Sequence, residues 1–239
     1  MFKWIWSLLP LFIKSFCLTL YYQLSGNSLL WWVLKHFRSV NLGFTPDIGL
    51  EVLSLIPRNS SVFEYGSGAS TLYIAAENCF IESVETDPRF YSAVQDACVD
   101  KGVSDSVHIK FCNIGPVLKS GMPVRFLSPF FRNKYRDYIQ SINSSRAIPD
   151  WVIIDGRFRV LCCLQVILFA AKKGLPTNII LDDYVDRKEY SSLDIILGKP
   201  RIIKRSAIWQ FDPKSKYNLK EIYAMQKECW NSGFKFYTR

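Results

Sequence analysis

A short glycine-containing segment carries the residues best suited to bind a ligand. It reads Glu64-Tyr65-Gly66-Ser67-Gly68-Ala69-Ser70-Thr71. Glycines at 66 and 68 allow the chain to turn sharply and let a ligand approach the backbone closely. The first N–H groups of a helix that follows such a turn attract a carboxylate or a phosphate. The segment therefore predicts one wall of a pocket for a ligand that carries an anionic group.

Two acidic residues near this loop narrow the choice of ligand. Glu85 ends the next predicted strand, about 20 residues after the loop, where an acid can accept hydrogen bonds from two ribose hydroxyls. Glu64 precedes the loop and can pair with the cationic part of an aminoacyl ligand. A dinucleotide-binding loop has a third glycine where this chain has Thr71. These features favour S-adenosylmethionine over a dinucleotide.

The phrases Phe63–Gly68 and Ser83–Asp87 resemble the first two motifs of class I S-adenosylmethionine-dependent methyltransferases. The resemblance spans residues 45–211 and implies an enzyme of the EC 2.1.1 class. In that family the glycine loop holds the methionine part and the acid of the second strand holds the ribose. The adenine meets residues after the third strand, where this chain offers the amide of Asn113. The resemblance implies a cofactor site formed by Glu64, Tyr65, Gly66, Ser67, Gly68, Ser70, Thr71, Glu85, Asn113 and Asp155.

Three aspartates follow two later strands of the predicted sheet. Asp155 follows the fourth strand, and Asp182 and Asp183 follow the fifth. Neighbouring strand ends bring these carboxylates close together, which is unfavourable unless a positive charge lies between them. Mg²⁺ accepts oxygen ligands of this kind, and it can lower the pKa of a substrate hydroxyl. The three aspartates therefore predict a Mg²⁺ site.

This arrangement resembles metal-dependent O-methyltransferases of the catechol and macrolide-sugar types. The phrases Asp155–Arg159 and Asp182–Tyr184 also resemble a bacterial group of methyltransferase-like proteins without an assigned activity. Two alternatives stay open: Asp155 can pair with Arg157 or Arg159 while the other acids cap the following loop and helix, or the arginines can bind an anionic substrate group. Without a metal, Asp155 is the candidate general base. The candidate catalytic residues are Asp155, Arg157 and Asp182.

Strands alternate with helices along most of the chain, which predicts a parallel sheet with helices on both faces. The fold class is α/β: a Rossmann-like, doubly wound, mostly parallel sheet with an N-terminal apolar helical appendage. Ligands of such sheets bind beyond the carboxyl ends of the strands, where these acids lie. The predicted strands are 61–65, 80–85, 107–112, 150–155, 178–181 and 201–211. The predicted helices are 46–56, 69–78, 87–101, 134–142, 157–173, 186–197 and a last one from 216.

The N-terminal segment, residues 1–44, is apolar and aromatic, and it precedes the methyltransferase-like domain at 45–239. Residues 4–22 have nearly the length of a membrane span, but Pro10 and Lys14 interrupt them. A signal peptide is the second interpretation, although no convincing cleavage site follows. The third, which we favour, is a helix in the membrane interface, so we expect membrane-surface contact through residues 1–38.

The charge is uneven, with a formal net charge of +9. A basic insertion at about residues 113–143 includes the stretch 116–136, which carries five basic residues and no acid. Such surfaces attract anionic partners. The seven cysteines form no Cys-x-x-Cys pair and only two histidines are present, which argues against a zinc site and for a reducing compartment.

These observations predict O-methylation of a hydroxylated, anionic or lipid-linked acceptor such as a glycan or glycolipid, with S-adenosylmethionine as cofactor and Mg²⁺ as a second one. The alternatives are nucleic-acid methylation, supported by charge alone, and a non-catalytic membrane-associated scaffold. We expect a cytoplasmic protein at the inner face of a membrane. The sequence makes no prediction about the oligomeric state.

Overall fold

The computed structural model describes residues 46–115, 117, 121–123, 128–145, 147–215 and 217–232, together with residues 10 and 13. The strands in this part of the chain are β1 Ser61–Tyr65, β2 Phe80–Glu85, β3 Val107–Phe111, β4 Trp151–Ile154, β5 Thr177–Leu181, β6 Arg201–Ile203 and β7 Ser206–Phe211. The α-helices there are α1 Leu50–Leu53, α2 Ala69–Ala76, α3 Pro88–Asp100, α4 Ser128–Ile139, α5 Arg159–Lys173, α6 Asp194–Leu197 and α7 Leu219–Asn231.

The strands form one sheet in the order β3-β2-β1-β4-β5-β7-β6. The first five are mutually parallel, and β7 runs antiparallel to both β5 and β6. The central strands are apolar on both faces because helices cover both sides. The carboxyl ends of β1, β2, β4 and β5 therefore meet at one edge, which is where the glycine loop and the acids lie.

Alternate residues of the strands pack against two different groups of helices. Val62 and Ile153 point to the face covered by α1 and α2. Tyr65 and Ile154 point to the opposite face, where α4, α5 and α7 contribute most of the core. This Rossmann-like α/β arrangement confirms the predicted fold class.

Most predicted strand positions are confirmed, and the main differences have local causes. Phe158 has a left-handed backbone, so α5 begins at Arg159 rather than at Arg157. Lys204, also left-handed, turns the single predicted strand 201–211 into the hairpin of β6 and β7. Gly49 has a φ of 89° and shortens the first predicted helix to α1. The predicted helix 186–197 is a 3-10 helix followed by the short α6.

The described part of the insertion contributes to the core of the domain. On α4, Tyr135, Tyr138 and Ile139 are buried, and a 3-10 helix at Gln140–Ser144 continues the chain beneath the sheet. The predicted N-terminal segment at 1–44 lies outside the described residues except at positions 10 and 13. No helix within the described ranges is long and apolar enough to cross a membrane.

Candidate functional site

The loop after β1 packs directly on the loop after β4, and glycines make this contact possible. Gly66 has a φ of 94°, and a Cβ there would lie 2.8 Å from the Cα of Gly156. A Cβ on Gly156 would in turn collide with the Tyr138 hydroxyl. The Gly66 N–H donates to the carbonyl of Val84 on β2. The three strand ends are therefore held together at the backbone level.

Gly68 has a different role, because a Cβ at this position would meet no atom within 4 Å. Its N–H donates to the Thr71 hydroxyl at 2.9 Å, and α2 begins at the next residue. The N-terminal end of α2 borders a small cavity of about 100 Å³ that Gly66, Ser67 and Gly68 also line. The absent side chain at Gly68 thus leaves open space where a ligand can approach the helix end.

Glu64 does not line this cavity, and its predicted contact with a cofactor stays a prediction. Its side chain is fully buried and accepts hydrogen bonds from the hydroxyls of Ser70, Thr71 and Ser83, at 2.5, 2.5 and 2.9 Å. Burial raises the pKa of Glu64 to about 7, although these hydrogen bonds act in the opposite direction. Glu64 ties the first turn of α2 to β1 and β2.

The side chains of Tyr65 and Thr71, which were also predicted to contact the cofactor, are buried in the core. The Tyr65 hydroxyl donates to the carbonyl of Ile139, and its ring packs edge-on against Phe63 and Tyr138 in the core. Thr71 is fully buried and bound to Glu64. Ser70 shares this carboxylate but still borders the small cavity.

Glu85 occupies the predicted place at the end of β2 and lines the site. One carboxylate oxygen accepts the N–H groups of Thr86 and Asp87 at 2.7 Å each. The other lies 3.3 Å from the Ser67 hydroxyl, which donates to it. Burial raises the pKa of Glu85 to about 8, and the charge of Asp87 adds to the effect. Two of its hydrogen bonds fix the carboxylate so that the second oxygen faces the glycine loop.

A polar cavity of about 260 Å³ opens at the carboxyl ends of β1, β2 and β4 and adjoins the small cavity. Four carboxylates and three guanidinium groups line it, which suits a ligand with both positive and negative charges. Its lining residues are Asp47, Gly66, Ser67, Glu85, Thr86, Phe90, Asp155, Gly156, Arg157, Arg159, Asp183 and Arg205.

Arg159 connects the ends of β4 and β5. Its Nη2 donates to Oδ1 of Asp155 at 2.8 Å and to the carbonyl of the same residue at 2.9 Å. Its Nη1 donates to the carbonyl of Asp182 at 2.6 Å and lies 3.2 Å from Oδ2 of Asp183. Its Nε donates to the carbonyl of Gly156 at 3.0 Å. All three nitrogens of this buried guanidinium group therefore donate hydrogen bonds to residues that follow β4 or β5.

Asp182 is fully buried and is bound by the β6–β7 hairpin. Arg205 donates to its two carboxylate oxygens from Nε at 3.1 Å and from Nη2 at 2.6 Å, and Ser206 donates to Oδ1 at 2.8 Å. Asp183 contacts Arg205 and Arg187 at 3.2 Å each. Burial would raise the pKa of Asp183, but the arginines outweigh it and hold that pKa below its usual value.

The structure does not support the predicted Mg²⁺ site at Asp155, Asp182 and Asp183. Arginine side chains occupy the positions around these carboxylates where a cation would bind. Throughout the described part of the chain, no group of three or more His, Cys, Asp or Glu residues is placed to hold a metal ion. The alternative in which Asp155 pairs with Arg159 is the one observed.

Asp155 and Arg157 both remain at the cavity wall. Burial raises the pKa of Asp155, Arg159 opposes that shift, and the charges of Asp182 and Asp183 add to it. The Asp155 side chain keeps 27% of its surface exposed, so a ligand can reach it. Burial, together with the charge of Arg159, lowers the pKa of Arg157. Asp182, the third predicted catalytic residue, is fully buried and does not line the cavity.

Asn113 follows β3 as predicted and has an unusual hydrogen-bonding state. Its Oδ1 accepts the N–H of Gly115 at 2.9 Å, whereas its Nδ2 is buried and has no hydrogen-bond partner among the residues that the structure describes. A buried donor of this kind is costly unless a ligand or water accepts from it. Asn113 lines a separate groove beside α4 rather than the 260 Å³ cavity.

Six residues of the 260 Å³ cavity were absent from the predicted site: Asp47, Thr86, Phe90, Gly156, Arg159 and Arg205. Asp47 and Phe90 line both adjoining cavities, and Gly156 and Arg205 line the larger one. Phe90 lies five positions after Glu85, the last residue of β2. Because ligands of such sheets bind beyond the strand ends, the sequence could have indicated this position. Asp47 and Arg205 come from distant parts of the chain, and no local pattern marks them.

A larger groove of about 530 Å³ lies at the opposite end of the strands. Its wall includes Ser61, Phe80 and Val107, the first residues of β1, β2 and β3. None of the glycine-loop residues line it. Because ligands of doubly wound sheets bind at the carboxyl ends, we assign the functional site to the smaller, more polar cavity.

The chain is similar to several solved structures. A methyltransferase-like protein from Silicibacter pomeroyi is 27% identical with a TM-score of 0.65, and the match covers 76% of this chain and 95% of that chain. An RNA methyltransferase from Salinibacter ruber, solved with S-adenosyl-L-homocysteine, is 9% identical with a TM-score of 0.42 and coverages of 73% and 95%. The C-terminal domain of precorrin-6Y C5,15-methyltransferase from Rhodobacter capsulatus is 12% identical with a TM-score of 0.44 and coverages of 69% and 87%.

No protein-family model and no curated protein sequence matches the chain. The likeness to the Silicibacter protein extends over nearly all of that protein. The strand arrangement and this likeness together show that the chain has the fold of class I methyltransferases.

Proposed function

We propose that the protein binds S-adenosylmethionine in the cavity at the carboxyl ends of β1, β2 and β4, and methylates a hydroxyl group of an acceptor that carries a negative charge. The observation that carries this proposal is the position of Asp155. It lies at the wall of the cavity together with the glycine loop on one side and Arg157 on the other. When bound, the cofactor supplies a methyl group on a positively charged sulfur.

The residues present fit this cofactor. The open space beside Gly68 and the N-terminal end of α2 suit the carboxylate of the methionine part. The second oxygen of Glu85 suits a ribose hydroxyl, because a buried carboxylate oxygen gains from an additional donor. The Nδ2 of Asn113, which has no acceptor within the described part of the chain, suits a ring-nitrogen acceptor. Its groove adjoins the end of β3, on the adenine side that the resemblance implies.

Asp155 is the proposed general base. Its carboxylate would accept the proton of the acceptor hydroxyl, while the charge of Arg159 keeps it ionised before the transfer. The raised pKa of Asp155 suits this role, because a carboxylate with a higher pKa is a stronger base near neutral pH. Orientation of the hydroxyl towards the cofactor would supply much of the remaining rate enhancement.

Arg157 is the proposed contact for the acceptor's anionic group. Its guanidinium borders the cavity, and a planar guanidinium forms paired hydrogen bonds with carboxylates and phosphates. The two other arginines of the cavity, Arg159 and Arg205, bind aspartates in the structure. Acidic glycans and phosphorylated glycolipids belong to the acceptor class that this chemistry would recognise.

Calorimetry with S-adenosylhomocysteine and S-adenosylmethionine tests the cofactor part of the proposal. We expect micromolar binding to the wild-type protein and at least tenfold weaker binding to Glu85→Gln. The matched control is Glu82→Gln, an acid on the same strand that lines the other groove. Absence of binding at millimolar ligand would contradict the proposed function.

Transfer of a radioactive methyl group tests the acceptor part. Phenolic and sugar acceptors should be compared in pairs that differ only by a carboxylate or phosphate group. We expect the charged member of a pair to be methylated faster, and Arg157→Gln to remove that preference while binding of S-adenosylhomocysteine stays within threefold. Equal rates for both members with wild-type protein would argue against the anionic acceptor.

A further inference from the structure

The carboxylates that predicted a metal are already neutralised by the chain itself. Arg159 lies among all three, with its guanidinium 2.8 Å from Asp155, 3.2 Å from Asp183 and 3.9 Å from the carboxylate of Asp182. Its side chain is only 7% exposed. The cation expected between these acids is therefore present as part of the polypeptide.

The charges of the cluster also balance without a metal. Asp155, Asp182 and Asp183 are in ion pairs with Arg159, and Arg187 and Arg205 add two more positive charges. A divalent ion that entered this cluster would add two positive charges and would have to displace at least one of these guanidinium groups. That displacement would be costly, because an arginine separated from its carboxylates in a buried place loses several charge-assisted hydrogen bonds.

Arg159 also orders the backbone of the two loops. It donates to the carbonyls of Asp155, Gly156 and Asp182, and so fixes the backbone after both β4 and β5. These carbonyl oxygens, like the carboxylates, are therefore already bound by the guanidinium group. The same side chain thus sets the charge of Asp155 and the place of its loop.

We propose that the Arg159 guanidinium takes the place of the divalent cation in this site, positions Asp155 for the reaction, and makes the protein independent of metal ions. This inference rests on the proposed function, in which Asp155 accepts the proton of the acceptor hydroxyl. Arg159 is a positioning residue, because it acts through its ion pair with Asp155.

The first test measures metal binding by the wild-type protein. Titrations with Mg²⁺ by calorimetry and with Mn²⁺ by electron paramagnetic resonance should show no saturable binding at millimolar metal, with or without S-adenosylhomocysteine. Treatment with EDTA should change the Kd for S-adenosylhomocysteine by less than twofold. Saturable metal binding that Asp155→Asn abolishes, and that the distant Asp100→Asn leaves unchanged, would overturn the proposal.

The second test separates the charge of Arg159 from its packing. Arg159→Lys keeps a cation beside Asp155, whereas Arg159→Gln keeps donors but no charge. We expect the lysine variant to retain binding of S-adenosylmethionine within tenfold of wild type and the glutamine variant to bind at least tenfold more weakly than the lysine variant. Equal losses of S-adenosylmethionine affinity in the two variants would show that only the packing of Arg159 matters. That result would overturn the proposed role of its positive charge.

A third measurement covers variants that fold poorly. Thermal unfolding of Arg159→Gln should improve when Asp155→Asn is added, because the second change removes an uncompensated carboxylate. The same Asp155→Asn change should lower the unfolding temperature of the wild-type protein. If the two substitutions changed the unfolding temperature additively in the double variant, the proposal would be overturned. Failure of the wild-type protein to bind S-adenosylhomocysteine would instead count against the proposed function, since the metal titrations do not depend on it.

Discussion

Two buried carboxylates near the glycine loop, those of Glu64 and Glu85, have different roles although both are buried. Glu64 is surrounded by hydroxyl donors and holds α2 to the sheet, whereas Glu85 keeps one oxygen towards the cavity. Burial raises the pKa of both. The direction in which each carboxylate points therefore decides whether its loss affects stability or binding.

Replacing Glu64 by alanine should destabilise the protein without removing the binding site. The change leaves three hydroxyl groups without their acceptor, and each unsatisfied buried hydroxyl costs about 1–3 kcal/mol. We expect the free energy of unfolding, measured by urea denaturation, to fall by about 2–4 kcal/mol. The Kd for S-adenosylhomocysteine of the folded fraction should stay within threefold of wild type. A large loss of affinity with unchanged stability would restore Glu64 as a ligand contact.

The loops after β1 and β4 depend on glycines for two separate reasons. At Gly156 the Tyr138 hydroxyl leaves no room for a Cβ, and at Gly66 the positive φ adds to the close approach. At Gly68 the space is open, and the backbone is extended. The stability of the protein should therefore depend on Gly66 and Gly156, and ligand binding should depend on Gly68.

Gly156→Ala and Gly68→Ala form a matched pair that tests this difference. We expect Gly156→Ala to lower the free energy of unfolding by about 2 kcal/mol or more, since overpacking against Tyr138 shifts both loops. Adding Tyr138→Phe should recover part of that loss. Gly68→Ala should change stability by less than about 1 kcal/mol but weaken S-adenosylhomocysteine binding at least tenfold. The reverse pattern in calorimetry and denaturation would contradict the assigned roles.

The sequence predicts β1, β2 and the helix that follows each of them, because apolar runs end at clear glycine and Asp-Pro signals. It also predicts that the acids meet at one edge of the sheet. It does not predict that Arg159 lies among three carboxylates, since side-chain direction after a left-handed Phe158 has no sequence signature. The contribution of Arg205 depends on the pairing of β7 with β5, a long-range contact.

At the scale of the whole molecule, buried carboxyl groups with raised pKa values make stability depend on pH, and Glu64 and Glu85 are two of them. Their folded-state pKa values, about 7 for Glu64 and about 8 for Glu85, lie above the value of 4.5 expected in the unfolded chain. The folded protein therefore binds more protons than the unfolded chain between these values. This contribution to stability is complete below pH 4.5 and is lost as the pH rises through 7 and 8.

The free energy of unfolding of the ligand-free protein should fall between about pH 5 and about pH 8 by several kcal/mol, at about 1.4 kcal/mol per unit of pKa shift. Urea denaturation across this range measures the effect. The double variant Glu64→Gln, Glu85→Gln should show a smaller fall, because neither glutamine titrates and Asp155 remains as a group with a raised pKa. A wild-type profile that rises with pH would contradict the raised pKa values.

The hairpin of β6 and β7 has a consequence for the order in which the molecule assembles. Arg205 and Ser206 neutralise and solvate Asp182, yet they follow it in the chain by more than 20 residues. During synthesis, β1 to β5 leave the ribosome while the Asp182 carboxylate still lacks these partners. Docking of the hairpin can then bury that carboxylate at low cost. The edge of the sheet farthest from the glycine loop is therefore the part that completes the site, late in folding.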